Sequence, residues 1–127
     1  MIFPSYSKLE QNAILHLAAA IAFNDGWKDN ERRLLNAIGY HFNFSNYEIG
    51  EAIMMDRQQA IISVKGMDDN KKRMASCLFQ SAAMADGDMR MGKPQWDNYF
   101  DVAEQCNIPM NIPFSEALEI THQYLGC

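Results

Sequence analysis

Four aspartates stand where carboxylates could converge on a cation: Asp25, Asp29, Asp86 and Asp88. Asp25 and Asp86 each precede a glycine, in AIAFNDGWKDNERRLL and SAAMADGDMRMGKPQW, and Asp29 and Asp88 follow them closely. A hard divalent cation such as calcium or magnesium takes about six oxygen ligands at roughly 2–2.6 Å. Two Asp-Gly turns folded against each other could offer four carboxylates to one such ion. The same residues also have a purely local use, because aspartate hydrogen-bonds the backbone of its own turn and caps a following helix. Neither loop has the alternating acids and final glutamate of an EF-hand.

The remaining reactive residues form no constellation. Glu119 and His122 make one Glu-x-x-His, whereas a di-iron bundle needs two, plus two further glutamates. His16 lies in an apolar helical run and His41 near a helix end, both positions that suit structural histidines. Cys77, Cys106 and Cys127 are far apart, with no CxxC pair and no CaaX box, and Cys77 falls on an apolar stripe as a buried, inert thiol would. P-loop, GxSxG, GxGxxG and HExxH motifs are absent, so the chain reads as non-catalytic and in need of no cofactor. Trp27, Met89 and Met91 sit beside the Asp-Gly turns. Methionine adapts to varied partners, which makes these three the candidate contact surface for another protein. Core filling is the competing use of such residues.

Helical elements must position all of these groups. Ile14, Leu17, Ala18 and Ile21 mark one face of a first helix over about 7–24, stopped by Asp25-Gly26. Asp29 reads as the N-cap of a second helix carrying Leu34, Leu35, Ile38 and Phe42. Ser45 and Glu48 spell a capping box, with Phe44 and Ile49 placed as a hydrophobic staple. Asp56 opens a short fourth helix with Ile61, Ile62 and Val64. Asp68-Asp69 begins the longest stripe: Met74, Cys77, Leu78, Ser81, Ala82 and Ala85. Pro94 introduces Trp96, Tyr99, Phe100 and Ala103, and Pro113 introduces Phe114, Ala117, Leu118, Thr121 and Leu125. No stretch alternates as a strand does.

These elements predict an all-α protein: residues 1–127 as one compact domain of about seven helices. Its two halves look related, since each places a small-residue helix before Asp-Gly. The offset is 61 residues at Asp25 and Asp86, 64 at Asn43 and Asn107, and 65 at Ala52 and Ala117. A drifting offset suits a duplication with a longer loop in its second copy, packed as a pseudo-twofold pair. The 48% hydrophobic and 21% charged fractions are those of a folded globule. A net charge of −5 argues against nucleic acid, and the one basic run, Lys71-Lys72-Arg73, reads as the solvated start of a helix. No apolar stretch reaches the ~20 residues of a membrane span and no signal peptide is visible, so a cytoplasmic location is expected.

The Asp-Gly junction carries a resemblance to a known family. An alanine-rich helix ending in Asp25-Gly26, an acidic residue at Asp29, and the return of Asp-Gly at Asp86-Gly87 are similar to the tellurite-resistance protein B (TerB-like) helical family. The resemblance covers roughly residues 15–118. Lys28 stands where the family carries an aliphatic residue, and Arg32 where it carries a glutamate, with Glu31 one position early. The resemblance implies an all-helical bacterial domain linked to stress-resistance operons or used as a module in larger proteins. The chain is accordingly expected to be a scaffold or interaction module with a protein partner, a role compatible with a symmetric homo-oligomer. Its alternative is a metal-sensing or metal-buffering protein that uses Asp25, Asp29, Asp86 and Asp88.

Overall fold

The computed structural model describes residues 2–23, 29–85 and 93–126. Seven helices run through them: α1 (Lys8–Ala22), α2 (Asp29–His41), α3 (Asn46–Ile53), α4 (Arg57–Lys65), α5 (Asp69–Ala83), α6 (Pro94–Cys106) and α7 (Phe114–Leu125). No strand occurs among the described residues, and none of their helices is long and apolar enough to cross a membrane.

Local chemistry sets the helix starts. Ser45 Oγ accepts from the Glu48 N–H at 3.2 Å, and Glu48 Oε1 accepts from the Ser45 N–H at 3.0 Å, so the expected capping box opens α3. A second box of the same spelling, Ser7 with Glu10, opens α1. Asp56 caps α4 through the Gln59 N–H and Asp68 caps α5 through the Lys71 N–H. Pro94 stands at the start of α6 without a side-chain cap.

Helix α2 runs to His41, and Asn43 then turns into the left-handed region at φ 62°. The Phe44 N–H reaches back to the Gly39 carbonyl at 2.9 Å. Helix α6 ends in the same way: Asn107 has φ 55°, and the Ile108 N–H meets the Ala103 carbonyl at 3.1 Å. These are matching left-handed closures, at the two asparagines that the offset pairs.

The core forms around α1 and α5, which pack on each other. Helix α1 gathers α2, α3 and α4, while α5 gathers α6 and α7; α1 also meets α6, and α5 meets α2. That exchange is the pseudo-twofold arrangement of α1-α2-α3 with α5-α6-α7. It is broken by α4, which packs on α6 where α3 has no matching contact as substantial as that of α2 on α7. The helix lengths match as well, 15 residues for α1 and α5 and 13 for α2 and α6.

Periodicity misjudged some faces. It gave α5 one apolar stripe, yet every residue over 74–83 is buried because helices surround it. Ile62 was expected inside and is 61% exposed, since Ala60, Ile61 and Val64 already fill the buried face of α4. Phe100 lies at the rim, 39% exposed, leaning on Tyr99 and Trp96.

Candidate functional site

The two Asp-Gly junctions follow α1 and α5 in the chain, so the site is built from the described residues that flank them. Asp25, Trp27, Asp86, Asp88, Met89 and Met91 lie outside the described residues. Asp29 lies inside them as the first residue of α2, one position beyond the N-cap that its sequence context suggests. Its exposed carboxylate there favours the positive end of the helix dipole. Two residues on, Glu31 is only 1% exposed and is engaged in an interaction of its own. Among the described residues, no three His, Cys, Asp or Glu side chains gather as a metal ion would require.

The last turn of α5 faces α2 and α7 across an apolar groove of about 300 Å³. Leu34 and Ala37 line one wall, Met84 the α5 side, and Leu118 and Leu125 the opposite wall; Arg33 and His122 stand at its edge. On the floor, Ser81 Oγ lies 2.9 Å from both the Cys77 carbonyl and Thr121 Oγ1, so these buried hydroxyls are already partnered. The groove's surface is therefore mainly aliphatic, with cationic or protonatable groups only at the rim.

A second apolar groove, of about 330 Å³, lies at the end of α1 between His16, Ala19, Ala20, Phe23 and Ile53. Its lining corresponds to the first through the internal repeat: Ala20 and Phe23 match Ser81 and Met84 at offset 61, and Ile53 matches Leu118 at offset 65. His16 Nδ1 sits 2.9 Å from the Ile53 carbonyl and tethers α1 to the end of α3, the structural role its position suggests. Asn98 of α6 spans the same end of α1, its Nδ2 3.3–3.4 Å from the carbonyls of Ala20, Ile21 and Phe23. It supplies donors where a helix C-terminus has unpaired acceptors. No sequence pattern announces that contact, which joins residues more than 70 positions apart.

Reactive groups elsewhere are held quiet. Burial pushes the Cys77 and Cys106 thiols up to about 11, far from the thiolate that nucleophilic chemistry needs. Burial likewise raises Tyr99, and Ser76 Oγ lies 3.1 Å from its hydroxyl while donating to the Pro109 carbonyl at 2.6 Å. Gln80 Nε2 donates to the Ile112 carbonyl at 3.0 Å, so α5 anchors the turn leading into α7. The basic run is no open anion patch: Lys71 pairs with Glu10 at 2.9 Å and Arg73 with Glu116 at 2.9 Å. Glu119 and His122 are both exposed on α7, and only His122 lines the groove.

Leu34 and Leu118, which helical spacing assigns to apolar faces, are half-buried groove walls. One signal was available for the first: Leu34 and Leu35 are adjacent, and neighbours 100° apart on a helix cannot both point to the core centre.

No protein-family model matches the chain, and no curated protein is significantly similar to it. The crystal structure of a protein of unknown function from Porphyromonas gingivalis W83 has the same fold, with a TM-score of 0.75 over 95% of this chain and 99% of that one, at 17% sequence identity. That likeness extends to the architecture alone.

Proposed function

We propose that this chain is a non-catalytic, TerB-like helical interaction module that seats an apolar segment of a partner protein in the α2–α5–α7 groove. The observation that carries the reading is the groove itself: an aliphatic channel of about 300 Å³ whose polar floor is already satisfied. Such a surface gains from covering apolar area and offers a reactant little to bind. The protonated, buried thiols support the non-catalytic part, and the matching groove on α1 supports a binding surface duplicated with the fold.

A photo-cross-linking amino acid placed at Leu118, in cells of the source organism, tests this reading. The expected result is a discrete cross-linked partner from position 118, lost when Leu34→Glu is added, and none from position 62, which is exposed and apolar but outside the groove. Equal cross-linking from both positions, or none from 118, overturns it.

Divalent-cation binding at the Asp-Gly junctions is the second reading. The exposed carboxylate of Asp29 in the first turn of α2 supports it, as an oxygen ligand open to such an ion.

A further inference from the structure

Residues 2–6, ahead of α1, lie across α5 and α7 and are held there by side chains. Tyr6 OH donates to the Lys71 carbonyl at 2.8 Å, and its ring meets Phe42 edge-on at 6.1 Å. Phe3 meets Tyr124 edge-on at 5.2 Å. Among the described residues, no backbone–backbone hydrogen bond ties residues 2–6 to the helices.

Beneath this segment is a cavity of about 80 Å³, walled by Ile2, Phe3 and Pro4 on one side and by Arg73, Met74, Cys77 and Ile120 on the other. Close packing is therefore interrupted along the plane where the segment meets the helices, and dispersion contacts are forfeited there. The Ser7–Glu10 capping box sits at the boundary and satisfies the first turn of α1 from within. Lifting residues 2–6 thus leaves no helix end uncapped. Local opening of this kind draws on few contacts and precedes global unfolding.

We propose that residues 2–6 form a strap that opens while the helical core stays folded, and that its opening uncovers Cys77 together with the apolar surface of Met74 and Ile120. The closed strap keeps that surface, edged by the Arg73 guanidinium, out of solvent. This device is independent of the α2–α5–α7 groove.

The structure supplies its own control. Cys77 and Cys106 are both 0% exposed, but only Cys77 lines the cavity. Maleimide labelling of the full chain, followed residue by residue with mass spectrometry, reads the two thiols in one sample. In the wild type, Cys77 is expected to label at least about tenfold faster than Cys106, as local opening outruns global unfolding. Phe3→Ala removes an aromatic anchor present only in the closed strap and should raise the Cys77 labelling rate by about tenfold. Tyr6→Phe removes only the bond to the Lys71 carbonyl and should raise it about threefold to fivefold. Because the open and the unfolded states lose these contacts alike, the Cys77:Cys106 ratio should stay at its wild-type value in both variants. If Cys77 keeps pace with Cys106 in all three proteins, the strap moves only with the whole fold and the proposal is overturned.

Discussion

His41 shows how one side chain ties stability to pH. Its ring packs 4.3 Å from that of Tyr124 on α7, and burial of part of the imidazole lowers its pKa from the ordinary 6.5. The neutral ring is thus favoured in the folded state, and between the two pKa values the unfolded chain binds more protons. The contribution is fully present above pH 6.5 and is lost as pH falls from 6.5 through the folded value. Denaturant midpoints measured from pH 7.5 down to 5 should fall, and His41→Gln should flatten that part of the profile. An unchanged slope in the variant would exclude His41 as its source. Glu48 acts in a separate, lower window: the Lys8 ammonium and the Ser45 N–H bring it to about 2, so what it contributes is present above 4.5 and lost as pH falls towards 2. At this scale the sequence was only partly readable. That Cys77 would be buried could be read from its place on an apolar stripe, but the burial of Glu31 could not, because carboxylates at helix starts are ordinarily solvated.

At the scale of elements, the Ile49 side chain of α3 can lie against α2 because Gly39 has no side chain. A Cβ built there would stand 2.6 Å from both Cγ1 and Cδ1 of Ile49, and 3.7 Å from Leu15. Alanine would gain up to about 1 kcal/mol of helix propensity, against roughly 1–3 kcal/mol for forcing Ile49 aside. Packing wins, and Gly39→Ala should destabilise by about 1 kcal/mol. Gly50 in α3 has nothing within 4 Å of such a Cβ, so Gly50→Ala should stabilise by about 0.5–1 kcal/mol. Chemical denaturation of the two variants should give shifts of opposite sign; shifts of the same sign would refute the packing account. Element boundaries were legible wherever a side chain writes them. Ser45, Asp56 and Asp68 all cap as their spelling suggests. The Ser7–Glu10 box was equally spelled but stands ahead of the apolar stripe, which begins only at Ala13. Faces were less legible, because period 3.6 identifies a buried side but cannot tell that α5 is enclosed on all sides.

The whole molecule raises the question of whether two related halves behave as one. The repeat was visible as a drifting offset, and matching left-handed closures at Asn43 and Asn107 give it structural form. What the offset could not disclose is how the halves interlock: α1 packs on α5 and α6, α5 packs on α2, and Asn98 reaches from the second half to the end of α1. Neither half retains its buried surface without the other, since α1 alone places eight residues in the shared core. A calorimetric melt should therefore show one transition, with an unfolding enthalpy of roughly 90 kcal/mol near 60 °C and a van't Hoff enthalpy equal to it. A van't Hoff value near half of that would mean that the halves melt separately, and the interlocking would be structural without being cooperative. The same melt decides between the two functional readings. A cation held at 100 times its dissociation constant adds about 2.7 kcal/mol and several degrees. For an interaction module, millimolar calcium or magnesium added after chelation should leave the midpoint where it was. A rise that vanishes in an Asp25→Asn/Asp86→Asn variant of unchanged fold would put metal binding first. In a fold this interlocked, such a rise should carry the whole transition with it, because an ion bound at the ends of both central helices would stabilise both halves at once.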